Sequence, residues 1–104
     1  MKSFRIIITP RAGSDLESIH DYIAQDSPQA AQSVVTRILD ALEHLRQFPH
    51  RAAVERQRPR LRHPVRSLVV SPYIVYFRAI DADETVRILH VRHGARRQPR
   101  RFDR

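Results

Sequence analysis

Six histidines, eleven carboxylates and nineteen cationic side chains are the groups in this 104-residue chain able to move protons, hold metals or bind anions. The histidines stand at positions 20, 44, 50, 63, 90 and 93, with no H-x-x-x-H or HExxH spacing. His90 and His93 are three apart on a β-rich run, so their side chains point to opposite faces. No metal site is expected. The absence of cysteine excludes disulfide scaffolds, cysteine-ligated zinc and thiol nucleophiles. Glu17 and Asp21, at i and i+4, read as solvated charges on an exposed helix face rather than as a general acid/base pair. Asp81, Asp83 and Glu84 read as turn formers, since the spaced ligands and central glycine of a calcium loop are missing. With only Gly13 and Gly94, the chain has no phosphate-cradling glycine loop, and no cofactor is expected.

Arginine is the remaining resource. Only Lys2 among the nineteen cations is a lysine, and the formal net charge is +8. The guanidinium fork matches carboxylate or phosphate bidentately, which suits an anionic partner, and a GC-rich genome would produce the same bias. The charge is uneven: residues 12–48 are acidic, whereas 49–70 and 87–104 are basic blocks. No basic amphipathic helix accompanies those blocks, so they point to a nucleic acid or an acidic protein rather than a membrane. Arginine does not deprotonate, so a nuclease built from this chain needs His93 or a tyrosine for proton transfer. His93 stands among Arg92, Arg96 and Arg97, where it either carries protons or packs the strand end. The tail has Phe102 as its single aromatic and the 49–70 block has none, so direct nucleic-acid binding by the chain alone is expected to be weak or non-specific.

The elements that would position these groups follow from period and punctuation. A length of 104 residues at 41% hydrophobic suits one domain with a single modest core. No apolar run reaches the roughly 20 residues of a membrane span, and Ile6-Ile7-Ile8 before Pro10 is too short for a signal peptide, so a cytoplasmic location is expected. Phe4 to Ile8 reads as a strand. Thr9 and Ser27 each precede a proline and read as helix N-caps. Ala12, Leu16, Ile19 and Ile23 mark a first helix, with Asp15, Glu17 and Asp21 on other faces. Ala31, Val34, Ile38, Leu42, Leu45 and Phe48 mark a second helix, about 30 Å long, reaching to Pro49. The short turn between the two predicts an antiparallel hairpin. Residues 50–64 read as a basic loop. Val65–Val70, Tyr73–Ile80 and Thr85–Arg92 read as an antiparallel meander, with the second run central because both of its faces carry bulk. The fold class is α+β in the order β-α-α-β-β-β: a helical hairpin on a small antiparallel sheet.

These residues also carry a resemblance. Asp15-Leu16-Glu17-Ser18-Ile19-His20-Asp21-Tyr22-Ile23 followed by Ser27-Pro28-Gln29-Ala30-Ala31 resembles the opening of the RelE/ParE superfamily of toxin–antitoxin toxins. Leu45-Arg46-Gln47-Phe48-Pro49 resembles its helix-ending pattern. Val65–Val70 with Tyr73–Arg78 resembles its central hairpin, and Val86–Arg96 its last strand with the His-Gly-Ala-Arg ending. The resemblance spans nearly the whole chain, in order, and implies the fold derived above.

It also implies a small bacterial toxin, residues 1–95 as one toxin domain and 96–104 as a basic C-terminal tail, neutralised by a ParD-like antitoxin. The chain looks closer to the ParE branch, whose members target DNA gyrase. On that reading Arg92, Arg96, Arg97, Arg100, Arg101 and Phe102 form the target-binding surface. The apolar stripes of the two helices (Leu16, Ile19, Ile23, Ile38, Leu42 and Leu45) would receive the antitoxin. The alternative is the RelE branch, which cleaves ribosome-bound mRNA with basic residues and a C-terminal tyrosine or histidine. Arg62, Arg66 and Arg78 would then bind phosphate while His93 moves protons. Phe102 in place of a tyrosine and the absence of lysine from 49–70 count against that branch.

Overall fold

The computed structural model describes residues 3–54 and 63–95. Strand β1 (Arg5–Ile8) leads into helix α1 (Pro10–Ala24), a short turn, and helix α2 (Pro28–His44). A 3-10 turn (Pro49–Arg51) and the two-residue strand β2 (Ala53–Val54) follow. The chain then runs through β3 (Val65–Val70), β4 (Tyr73–Ile80) and β5 (Thr85–His93). Both helix starts are as expected. The Thr9 hydroxyl accepts from Ala12 N–H at 3.3 Å, the Ser27 hydroxyl accepts from Ala30 N–H at 3.1 Å, and proline opens each helix.

The sheet order is β1-β5-β4-β3-β2. The meander β3-β4-β5 is antiparallel, and β4 is central as its two bulky faces predict. Three features differ from the sequence reading. First, the sheet is mixed: β1 lies parallel to β5, pairing Arg5 with Thr85 through to Ile8 with Ile88. Second, the segment 50–64 is not all loop, because Ala53 and Val54 pair with Ser67 and Arg66 and add a fifth strand. Third, α2 stops at His44, so it spans about 25 Å. Leu45 caps it and still points inward, and for that reason the apolar period ran on past the helix.

The main core lies between the hairpin and the sheet. Ala12, Leu16, Ile38, Leu42 and Leu45 from the helical side meet Val70, Tyr73, Val75, Phe77, Val86, Ile88 and Val91 from the strands. A smaller cluster, Val65, Tyr76 and Leu89, sits on the other face. Both sets alternate along the strands, but β5 carries an irregularity. Tyr76 opposes His90 and Phe77 opposes Ile88, so Leu89 is an extra residue, a β-bulge. The bulge resets which β5 side chains face the helices, from Val86 and Ile88 before it to Val91 after it. Among the described residues, no helix is long and apolar enough to cross a membrane.

Candidate functional site

β1 stops beside Ile88, and the chain turns at once into α1, so residues 89–93 of β5 have no neighbouring strand on that side among the described residues. Helix α1 takes over the edge. The Thr9 hydroxyl donates to the Ile88 carbonyl at 2.6 Å, and Thr9 N–H donates to the same oxygen at 3.1 Å. One and a half turns on, Asp15 Oδ2 accepts from Val91 N–H at 2.9 Å, the position a strand carbonyl would otherwise fill. The same oxygen lies 2.6 Å from His90 Nδ1. His90 and Asp15 side chains are only 10% and 21% exposed, so this pair is shielded from water far better than the molecule's other histidine–carboxylate contacts among the described residues.

His90 begins a chain of contacts toward the end of β5. Its ring lies nearly parallel to that of the fully buried Tyr76, with centroids 6.0 Å apart. The Tyr76 hydroxyl accepts from Arg92 Nε at 2.8 Å, and the guanidinium lies over the tyrosine ring. Arg92 Nη1 also donates to the carbonyls of His93 and Gly94. His93 projects to the helix side, edge-on to Tyr73, and its Nδ1 accepts from Ala95 N–H at 3.1 Å. In the neutral ring, an accepting Nδ1 leaves the hydrogen on Nε2. Gly94 is positioned tightly: its N–H donates to the Pro72 carbonyl at 2.7 Å, and a Cβ there would sit 3.1 Å from that oxygen. The end of β5 is thereby pinned to the β3–β4 turn. Between α1 and this strand end runs a groove walled by Arg11, Asp15, Ser18 and Tyr22 on the helix and by His90 to His93 on β5.

The expected site residues distribute as follows. Arg92 stands at this groove; Arg96, Arg97, Arg100, Arg101, Phe102 and Arg62 lie outside the described residues. Of the other proposed phosphate and proton groups, Arg66 pairs with Phe77 on the helix-facing side and donates to the carbonyls of His50 and Ala52 at 3.2 and 3.0 Å. Arg78 projects from the opposite face, between Val65 and Arg87. His93 is at the far end of the sheet from Arg66. The fold therefore does not gather Arg66, Arg78 and His93 at one surface.

The apolar helix positions also divide. Leu16, Ile38, Leu42 and Leu45 are buried against the chain's own sheet, while Ile19 and Ile23 remain partly accessible. A stripe of that width is largely filled by the sheet beneath it. His90 and His93 do face opposite sides, yet both reach the groove because it lies at the sheet edge. Asp15 is the residue that sequence reasoning misplaced. It shares the face of Ala12, Leu16 and Ile19, and a carboxylate inside an apolar i, i+3, i+4, i+7 stripe is the signal that could have marked it.

A parallel first strand, a helical hairpin and an antiparallel meander with a basic terminus define a class of small bacterial toxins that are paired with antitoxins. The chain belongs to the ParE toxin family of type II toxin–antitoxin systems, whose model matches residues 6–98. It is 37% identical over 92 residues to Toxin RelE2 of Caulobacter vibrioides, covering 88% of this chain and 97% of that protein. It is 38% identical over 101 residues to the putative toxin Y4kP of Sinorhizobium fredii, covering 95% and 97%. Among solved structures, the chromosomal ParDE system of P. aeruginosa superposes with a TM-score of 0.69 at 24% identity, covering 88% of this chain and 96% of that one. The archaeal RelE–RelB complex of Pyrococcus horikoshii superposes with a TM-score of 0.65 at 17% identity, covering 91% and 99%.

Proposed function

We propose that this toxin acts by binding DNA gyrase rather than by cutting RNA, and that a ParD-like antitoxin silences it. The observation that carries this reading is the dispersal of its candidate nuclease groups: Arg66 is engaged with backbone carbonyls on one face, Arg78 projects from the other, and His93 stands at the opposite end. A phosphoryl-transfer site needs its cations and its proton carrier within reach of one phosphate. A protein-binding surface needs only an anchored set of arginines and aromatics. Arg92, held by Tyr76 and by two carbonyls, is placed at the root of the basic tail, residues 96–104. The antitoxin lies along the hairpin and the sheet edge, where Ile19 and Ile23 are partly accessible and Tyr22 is 69% exposed.

The test pairs two assays on the purified toxin. Gyrase supercoiling is expected to fall and to recover when the antitoxin is added. Ribosome-bound mRNA is expected to stay intact. Site-specific mRNA cleavage that disappears in His93→Ala would replace this reading with the endonuclease one.

A further inference from the structure

We propose that the outer edge of β1 binds the same edge of a second copy of this chain, the two β1 strands pairing antiparallel about a two-fold axis at Ile7. Along a strand, successive residues turn their N–H and C=O groups to alternate sides. Arg5 N–H donates to Glu84 O at 2.8 Å and Thr9 N–H to Ile88 O at 3.1 Å, so the odd-numbered residues of β1 bond to β5. The backbone groups of Ile6 and Ile8 therefore face the other way, where among the described residues no strand meets them. This open stretch is bounded at both ends. Phe4 N–H is taken by Arg46 O at 2.6 Å, and α1 begins at Pro10.

The backbone, the side chains and the charge each select a second copy as the occupant. The window offers two bonding residues with one between them, and β1 itself has that pattern. With Ile7 on the axis, Ile6 of one copy lies opposite Ile8 of the other, and each pair exchanges two hydrogen bonds. The side chains agree with this register. Ile6 and Ile8 lie on the helix side and wall a groove with Leu39, Leu42 and Glu43 of α2, where Ile8 and Leu39 are 41% and 40% exposed. Ile7 pairs with Arg87 on the opposite face, so it meets only its own symmetry mate. Pairing joins the exposed Ile8 and Leu39 of both copies into one apolar strip, and β-branched cross-strand pairs favour such contact. Although each chain carries +8, β1 and α2 together are neutral, with Arg5 and Arg37 against Asp40 and Glu43. Two copies are not repelled at this edge, and a strongly acidic or basic strand gains nothing from it. Nor does β1 hold the lysine, proline or bulge that guards an edge strand.

The inference is independent of the gyrase reading, because it is tested on the purified full-length toxin with no gyrase present. Sedimentation velocity at rising concentration is expected to show a monomer–dimer equilibrium. Ile8→Pro removes an outward N–H and no bond to β5, and is expected to raise the dimer dissociation constant at least tenfold, with circular dichroism confirming that the variant is folded. The chain has no cysteine, so Ile7→Cys reports the register. Across the axis its two Cα atoms would stand about 4.5 Å apart, within disulfide reach. Under mild oxidation it is expected to cross-link at least tenfold faster than Arg5→Cys, whose two copies are offset by about 13 Å along the strands. Equal cross-linking of the two cysteine variants, or a dimer unaffected by folded Ile8→Pro, would overturn the proposal. So would a toxin that stays monomeric at every concentration; protection of the Ile6 and Ile8 amides from hydrogen exchange only after antitoxin is added would then assign the edge to the antitoxin.

Discussion

Asp15 on the first helix and His90 on the last strand meet at 2.6 Å, although 75 residues separate them in sequence. The same carboxylate oxygen accepts from Val91 N–H, so one side chain satisfies a strand edge and orients an imidazole together. Replacing Asp15 with alanine leaves both partners without an acceptor in a partly buried setting. The expected loss is about 2–3 kcal/mol of stability. Asp15→Asn retains a carbonyl acceptor and should lose roughly half as much. Denaturant melts of both variants decide the matter; equal losses would mean that packing, not hydrogen bonding, is what Asp15 contributes.

The two helix caps should differ in weight although both are hydroxyls before proline. Thr9 is 2% exposed and also donates to Ile88 O, so Thr9→Ala removes a cap and a tie to the sheet, about 2 kcal/mol. Ser27 caps α2 in the open turn, and Ser27→Ala should cost about 1 kcal/mol. Thermal unfolding of the pair reads the difference directly. A smaller effect at Thr9 than at Ser27 would contradict the role given to the Ile88 bond.

That contrast also marks how much could be read from the chain. The caps, the hairpin, the meander and the central place of β4 rest on local signals: hydroxyl before proline, helical and two-residue periods, and turn residues. The parallel pairing of β1 with β5 rests on none of these, since two strands joined by 76 intervening residues share no local grammar. β2 is two residues long inside a run of arginines, too short to show a period. The site fared less well than the fold. Arg92 and His93 were legible because they end a strand among cations. Asp15 and His90 were not, because an acid on α1 gains its partners only when the bulge at Leu89 and the early end of β1 bring β5 to it.

Glu84 adopts φ 52°, in the left-handed region, within the turn between β4 and β5. Its carbonyl accepts from Arg5 N–H and its own N–H donates to Asp81 O, so the backbone there is fixed from both sides. Glycine relieves the side-chain clash at that φ and gives back part of the gain as unfolded-state entropy. Glu84→Gly is expected to stabilise by about 0.5 kcal/mol, raising Tm by roughly 2–4 °C. A lowered Tm would show that the glutamate side chain contributes more than its backbone costs.

Removing residues 97–104 should abolish toxicity while leaving Tm and antitoxin binding nearly unchanged. By its sequence the segment has Phe102 as its single large apolar side chain, so it has little to add to a core. Growth assays with the truncated toxin, alongside calorimetry of its antitoxin complex, check both halves of the expectation. Full toxicity would make the tail a merely solvated basic end, and unfolding would move it into the core.

The pairing of β1 with β5 carries a consequence for the order of synthesis. Among the described strands, the first to leave the ribosome has as its sheet neighbour the last to leave it. The carbonyl that anchors Thr9, and the imidazole and amide N–H that meet Asp15, likewise belong to Ile88, His90 and Val91. Until β5 is translated, the hairpin has only part of its sheet to lie on, and contacts of such long sequence separation form late in folding. In a nascent toxin of this topology, the parallel edge of the sheet and the ties of Thr9 and Asp15 therefore close only after β5 has been translated. The groove between α1 and β5 comes into being at that step, by which time an antitoxin made alongside the toxin can be waiting.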